Sequence, residues 1–536
     1  MRVTNTMISN SAQSHIGKAK NKLYKYQEQY TSQQKIQRPS DDPVVAVRAL
    51  KLRTTYSQLT QYADKNVKDA LNWMDTSESA LSNIGDILTT MKGYLVQGNC
   101  DDLEVDNRTA IIETLKKNVE AIFQGEANSD YSGRYLFTGY RTDTSLLFPE
   151  ETRNFEYKIT ENFAYDAFRN ITSVVGGAIY GEKPPIANSG QDYVDKAATT
   201  TTAYRLQLAY DNCADQVSFK EDIGTPPVPT TIPSIEFTFT DKNGNDITST
   251  IIAGGVTTAL STTDPTDPTD PLFASIPAVT PPRKGIRDVR DDEIFYLRDT
   301  GEVIIGKDVY SKIQANQAAI SIDYLKTYFD KSDIRPEMYF EATRYDTVEE
   351  VKIKYDEPDK QEISYEINYS QTMAVNVQAR DAISTDIYRS VDYIQQTIQY
   401  VEEVETKIKE CQKLINNTKD KAEVAKLESL KKTLEDERKL RVSVMAEAFG
   451  MGLTIVNEVE DKLNVALADI GARYKRTELT SDKLLDTRLD TEEKLSNNEG
   501  VDLPDVFIGL TQADNLYQAS LSATSKILGN SLLNYI

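Results

Sequence analysis

Histidine, tryptophan and cysteine are almost missing from this chain of 536 residues, and each scarcity closes a route to chemistry. His15 is the only histidine and Trp73 the only tryptophan. A Ser-His-Asp or Cys-His site would need His15, which sits in a Lys-rich amphipathic stretch where an exposed or interface histidine is the ordinary reading. Cys100, Cys213 and Cys411 are isolated and without CxxC spacing, so neither a zinc site nor a disulfide framework is expected. No GxGxxG, GxxxxGK[ST] or HExxH motif cradles phosphate or holds a metal. Basic charge is short as well. The 61 Lys and Arg against 83 Asp and Glu give a formal charge of −22, which argues against phosphate neutralisation on a nucleic acid and against an anionic membrane surface. No apolar run approaches the roughly 20 residues that span a bilayer. The opening "MRVTNTMISNSAQSHIGKAKNKL" lacks the apolar core of a secretory signal. The expectation is a protein with no catalytic residue, cofactor, metal, nucleic acid or membrane insertion, either cytosolic or exported by a route that reads no cleaved signal.

What the chain has in quantity is helical periodicity. Apolar or small residues recur at alternating steps of four and three from Leu52 through Tyr56, Leu59, Ala63, Asn66, Ala70, Trp73, Ser77, Ala80, Ile84 and Ile87 to Met91. A helix over 44–92 would be about 70 Å long at ~1.5 Å per residue, which predicts a rod, with Asn66 and Ser77 setting register in its seam. Ile16, Ala19, Leu23, Tyr26 and Tyr30 give the first segment the same spacing, and a third helix fits residues 105–127. "YSGRYLFTGYRTDTSLLF" reads as a hairpin. Helix returns near residue 384 with Val391, Ile394, Ile398 and Val401. "DKAEVAKLESLKKTLEDERKL" reads as a further, charged and solvent-exposed helix, and Ile455, Val459, Leu463, Ala466 and Ile470 continue into a last rod helix.

Between about 176 and 369 the character changes. "IEFTFTDKNGNDITSTII" reads as two strands about an Asn243-Gly244 turn, and "DEIFYLRDTGEVIIGKDVY" repeats that around Thr300-Gly301. The triple Thr-Asp-Pro of "TDPTDPTDP" cannot lie in a central strand. The fold class expected is therefore mainly α with an inserted β-containing domain. Residues 1–42 and 500–536 would pair as terminal helices. Residues 43–175 and 370–499 would form an elongated antiparallel coiled-coil rod with a helical insertion near 415–440, and 176–369 an outward insert.

Two features suggest what such a rod is for. In "KIQRPSDDPVVAV", Pro39 cannot continue a helix, Ser40, Asp41 and Asp42 offer oxygens to the orphan amides of a new one, and Pro43 fits its first position. These five residues form a hinge, and "SNNEGVDLPD" at 496–505 has similar chemistry. The other feature is the tail. Its last 30 residues carry only Asp514 and Lys526 as charged side chains. One apolar stripe runs through Leu510, Ala513, Tyr517, Leu521, Thr524, Leu528 and Leu532, and a second through Leu516, Ala519, Ala523 and Ile527, with Leu533 beside it. A helix with two stripes is buried on most sides. The N-terminal helix, through Ile16, Leu23, Tyr26 and Tyr30, covers one, so other copies or close relatives should supply the rest.

The segments "MRVTNTM", "KIQRPSDDPVVAVRA", "NVKDALNWMDTSESALSNIGDIL", "GRYLFTG", "ADIGARYKRTE" and "YQASLSATSKILGNSLLNYI", in this order, resemble the flagellin superfamily, and within it the hook-associated junction proteins. The resemblance covers roughly residues 1–150 and 370–536. It implies a non-enzymatic subunit of the bacterial flagellum, extracellular, forming a layer between hook and filament, with residues 1–42 and 500–536 as an inner terminal-helix layer and Pro39 to Pro43 as the hinge to the rod outside it. Its partners would be copies of itself, a hook-associated protein on one side and flagellin on the other, with an export chaperone at the C-terminal helix. Flagellin itself is the alternative, although flagellins usually follow the paired aspartates with Ala-Ala-Gly where Pro43 stands here. An intracellular coiled-coil scaffold would leave the uncharged tail unexplained.

Overall fold

The computed structural model describes the chain apart from residues 1–4, 101–102, 104, 176–197, 215–218, 221–228, 231–233, 241–245, 253–254, 257–262, 265–266, 272–290, 292–293, 349–350, 356–360 and 533–536. The helices are α1 Asn5–Ser32, α2 Pro43–Gln61, α3 Lys68–Gly98, α4 Val105–Glu120, α5 Lys307–Asn316, α6 Ala379–Ala382, α7 Asp386–Asn417, α8 Lys421–Glu499 and α9 Leu503–Leu532. The chain divides into two compact units. The first holds Met1–Asn72, Ser364–Met373 and Arg473–Ile536, the second Trp73–Ile363 and Ala374–Ala472.

In the first unit α2 starts where the hinge residues place it. Asp42 is extended (φ −151°, ψ 100°), its Oδ1 accepts from the amides of Val44 at 3.0 Å and Val45 at 3.2 Å, and Pro43 opens the first turn. Between α2 and α3 the helix does not break but widens to a π turn, Tyr62–Val67. A two-stranded hairpin, Ser364–Asn368 with Gln371–Ala374, packs there, and the Asn66 amide donates to the carbonyl of Glu366 at 2.8 Å. Asn66 is therefore spent on a strand backbone and does not set register against a helix, a correction to the heptad reading. Across this turn the buried place passes from the expected Asn66 to Val67, after Ala63 and before Ala70, a one-residue shift that the alternating steps of the sequence do not mark.

The second unit joins helices to two antiparallel sheets. One has seven strands in the order Gly255–Val256, Asp246–Ile252, Ser234–Thr240, Ala319–Lys326, Phe155–Phe163, Glu341–Asp346, Lys352–Tyr355; the other has four, Ile294–Leu297, Glu302–Ile305, Thr199–Gln207, Arg169–Val175. Both hairpins read from the sequence form, with Phe237 opposite Ser249 and Leu297 opposite Glu302; the turn residues 241–245 lie outside the described residues. At the other turn Gly301 has φ +60°, and a Cβ there would lie 1.9 Å from the Tyr210 carbonyl oxygen, so only glycine fits. The sheets begin earlier than residue 176. Phe155–Phe163 is a central strand and Arg169–Val175 an edge one, both assigned to the rod from sequence. The alternation of "FEYKITENF" is real, but its charged residues disguise it. Thr263–Asp264 pairs with Asp267–Pro271 as a separate ladder, outside either central sheet.

Tyr157, Phe237, Tyr324 and Phe329 lie at the centre of the core between sheets and are fully buried. Arg205 and Glu302 form a buried ion pair at 3.0 Å, the Arg205 guanidinium stacks 3.5 Å over the ring of Tyr393 on α7, and it reaches Met451 of α8. Of the long seam, Leu59, Ala63, Ala70, Trp73, Ser77, Ala80, Ile84 and Met91 are buried, with Leu88 taking the deep place expected of Ile87. Ile455, Val459, Leu463, Ala466 and Ile470 are buried as read. The charged helix after Lys421 is not separate from the last rod helix: α8 runs 79 residues without interruption. Nor is it wholly solvated, because Leu427, Leu430 and Leu434 meet Val404 and Cys411 of α7. The high charge density hides that face. One window of α8 is long and apolar enough to cross a membrane by composition alone, as core helices often are.

Candidate assembly site: the terminal helix pair and its joint

The two ends of the chain meet in the first unit. α1 packs along α9. Ala19 is buried and Ile16, Leu23 and Tyr26 half-buried on α1; Val506 and Ala513 are buried and Leu510 and Tyr517 half-buried on α9. Gly509 admits the Tyr26 ring, since a Cβ there would sit 2.7 Å from it. Tyr30 is itself exposed and lies 6.3 Å, centroid to centroid, from Phe507.

The joints are bound to each other, a feature that spacing in the sequence does not reveal. Gln34 bridges Gly500, the Lys35 amide donates to the Glu499 carbonyl at 2.7 Å, and Val501 donates back to Gln33 at 3.2 Å. Lys35 Nζ reaches the Asn497 carbonyl at 2.8 Å, Asn498 donates to the Val45 carbonyl at 3.1 Å, and Arg53 pairs with Glu499 at 2.7 Å. To make this turn Gln33 adopts φ +58°. α1 thus ends at Ser32, well before Pro39, which corrects the reading of Pro39 as the helix stop; the stretch from Gln33 places backbone groups opposite the end of α8. Asp41 works within the break. Its carboxylate accepts from the amides of Arg38 at 2.9 Å and Gln37 at 3.2 Å, and these bonds hold its pKa below the usual value. Pro39 and Ser40 lie in the same turn.

Apolar side chains on more than one side of α9 have no cover: Leu516, on the second stripe, is 50% exposed, Leu521, on the first stripe, 43%, and Phe507, Ile508 and Leu503 are exposed too. Ala519 and Ala523, on the stripe of Leu516, are likewise exposed. α9 includes positions 527, 528 and 532, but the side chains of Ile527, Leu528 and Leu532, like the whole of Leu533, lie outside the described residues. Each such apolar side chain left in water forgoes roughly 1.5–3 kcal/mol.

Residues 3–142 match a family described as the bacterial flagellin N-terminal helical region. Over 145 residues the chain is 27% identical to flagellar hook-associated protein 3 of Salmonella typhimurium, covering 27% of this chain and 45% of that protein. Over 151 residues it is 26% identical to flagellar hook-associated protein 3 of Escherichia coli K12, covering 28% and 47%. The matches thus span about half the length of those relatives. Solved structures of Xanthomonas campestris FlgL and of the flagellar junction protein FlgL from Legionella pneumophila are each 11% identical with a TM-score of 0.29, covering 82% and 84% of this chain and 98% and 100% of theirs; superpositions this loose carry no argument. Over residues 3–142 the chain is similar to the bacterial flagellin N-terminal helical region, and its sequence is similar to flagellar hook-associated protein 3 of Salmonella typhimurium and of Escherichia coli K12.

Proposed function

We propose that this protein is a structural subunit of the bacterial flagellum, joining hook to filament as an adaptor layer. The observation that carries the reading is the α1–α9 pair. It is locked at its base by the bonded joints, yet it leaves Leu516, Leu521, Phe507 and Ile508 exposed. That surface is complete only with neighbours. In this reading the first unit's terminal helices form an inner layer, the long helices form a coiled-coil rod outside it, and the sheets face outward. Ile16, Leu23, Tyr26, Tyr30, Leu510, Leu516, Tyr517, Leu521, Ile527, Leu528, Leu532 and Leu533 serve the packing of the terminal helices on each other and the contacts between subunits. Copies of itself, a hook-associated protein and flagellin are the partners, and a chaperone holds the C-terminal helix before export without a cleaved signal.

Labelled antibody on isolated flagella tests it. A narrow band at the boundary of hook and filament is expected. Label along the whole filament would mean flagellin instead, and absence from flagella would sink the proposal.

A further inference from the structure

The polar bonds that fasten the start of α7 to the sheets converge on one side chain. Arg389 is buried; its Nε donates to the Leu208 carbonyl at 3.2 Å, and its Nη2 donates to the Thr300 carbonyl. Its Nη1 lies 3.2 Å from Asp392 Oδ2 and 3.7 Å from Asp211 Oδ2, and Gln207 Nε2 donates to the Arg389 carbonyl at 3.2 Å. The Leu208 carbonyl and the Ala209 amide are the two ends of one peptide unit. Glu161, buried on the strand Phe155–Phe163, accepts from that amide at 2.9 Å and from the Tyr324 hydroxyl. A cation of α7 and an acid of the sheet thus grip one peptide from opposite ends, so a change at the acid reaches the helix.

Carboxylates outnumber cations at this junction. Glu161 faces Tyr210, Tyr296, Cys213 and Tyr324 from the sheet side, and Asp386 and Arg389 from α7. Asp333 accepts from the Asp330 amide at 2.9 Å and faces Lys326, Asp211, Tyr210 and Tyr388. Lys326 is buried and donates to the Asp211 carbonyl at 2.8 Å. Lys116 of α4 faces Asp392, and Lys462 of α8 faces Asp386. Glu161, Asp211, Asp333, Asp386 and Asp392 therefore share two buried cations, Arg389 and Lys326. Burial pushes the Glu161 pKa up to about 7 and that of Asp333 up to about 6, and raises that of Asp392. Acids raised in this way favour the closed contact while protonated, and that contribution is lost as pH climbs through their folded values.

Once ionised, Glu161 needs water. Its strand is paired on both sides, by Ala319–Lys326 and Glu341–Asp346, and cannot part cheaply. The start of α7 is the end of a helix, with Asp386 and Tyr388 already exposed. Lifting it hydrates Glu161 and also separates the acids of α7 from those of the sheets. We propose that the start of α7 is a proton-operated latch, seated on the sheets while Glu161 and Asp333 are protonated and lifted as they ionise. The inference concerns a single chain and does not depend on a place in the flagellum.

Hydrogen exchange of the full chain at pH 5.5 and at pH 8 tests it, with each amide expressed as protection relative to an unstructured chain at the same pH. Protection at residues 388–392 and at Ala209 should fall roughly tenfold or more between the two, while the strand Ala319–Lys326 changes less than about threefold. Glu161→Gln/Asp333→Asn should keep the protection at pH 8. If that double variant does not fold, Glu161→Gln alone, which retains the accepting oxygen, should lessen the fall about threefold or more. Equal protection at both pH values in the wild type overturns the proposal. So does a fall of the same size in the variants. A fall that the strand shares in full overturns it as well, because the whole region would then be unfolding in place of one turn.

Discussion

The core between the sheets and the pair α1–α9 both bring apolar side chains together and end in opposite states. Around Phe329 the rings of Phe148, Tyr157 and Tyr210 stand 4.8, 5.2 and 5.8 Å away, and all four are buried. Charges caught in that region are paired or bonded. Arg205 has Glu302 and the face of Tyr393; Arg389 donates to the carbonyls of Leu208 and Thr300 and to Asp392. On α9, by contrast, leucine and phenylalanine face water. The first region is complete in one chain, and the second leaves apolar side chains in water. Under the proposed function, fold stability and assembly reside in different residues, and substitutions can separate them.

The strongest way to break the comparison is to damage the finished core. Phe329→Ala removes the ring that three others pack against, and should lower the unfolding free energy of the sheet region by about 3–5 kcal/mol. Urea unfolding followed by tyrosine fluorescence checks it. A loss under 1 kcal/mol would show that this core is not what holds the region.

Next comes Glu161, which is buried, accepts from the Tyr324 hydroxyl and from the Ala209 amide at 2.9 Å, and lies near Asp386 and Arg389. Burial raises its pKa from 4.5 to about 7, against the opposing effect of the two hydrogen bonds. The folded state therefore binds a proton between those values that the unfolded chain has released. Stability from this group is present below pH 4.5 and falls as pH rises to 7, by an amount on the order of 3 kcal/mol. Glu161→Gln keeps the accepting oxygen and removes the titration, so it should flatten stability between pH 5 and 8 and leave the variant the more stable at pH 8. An unaltered pH profile would refute it.

Smaller again is the hinge. Asp42→Ala removes the acceptor for the Val44 and Val45 amides, and should cost about 0.5–2 kcal/mol in the first unit. Hydrogen exchange at those two amides checks it: protection should fall there and at Ala46, which donates to the Asp42 carbonyl, while the sheet amides stay protected.

The hinge also shows how far a sequence can be read. Asp42 and Pro43 were legible because capping is local chemistry, and the buried seam was legible because a heptad repeats. The bonding of Lys35 to Glu499 was not, since it joins residues far apart in the chain through backbone atoms that every residue has. The π turn at Tyr62–Val67 was hidden for another reason: the alternating steps run across it without marking the shift of one residue. Glu437 and Arg441 are buried as a pair at 2.8 Å inside a stretch that reads as solvated charge, and residues 155–175 join the sheets although charge interrupts their alternation. Where two groups satisfy each other, a polar letter no longer means surface.

The smallest expected effect on the isolated protein is the one that bears most on assembly. Leu516 and Leu521 are about half exposed on α9, so changing both to Asp adds charges that water already reaches in the single chain. Unfolding of the isolated protein should move by less than about 0.5 kcal/mol, the ordinary range for surface substitutions. Against a neighbour the same two carboxylates would be buried without partners, each costing several kcal/mol even after relaxation, more than either leucine contact supplies. The double variant should be made and folded normally and fail to assemble, with hooks completed and filament subunits lost to the medium. Secretion has to be measured alongside, because the same helix is the proposed chaperone site, and a subunit that never left the cell would mimic failed assembly. Normal swimming with Leu516→Asp/Leu521→Asp fully exported would mean that both positions are solvent-exposed in the assembled structure as well. The contrast between a finished core and apolar side chains that await neighbours would then be lost, because the exposed leucines would need no neighbour.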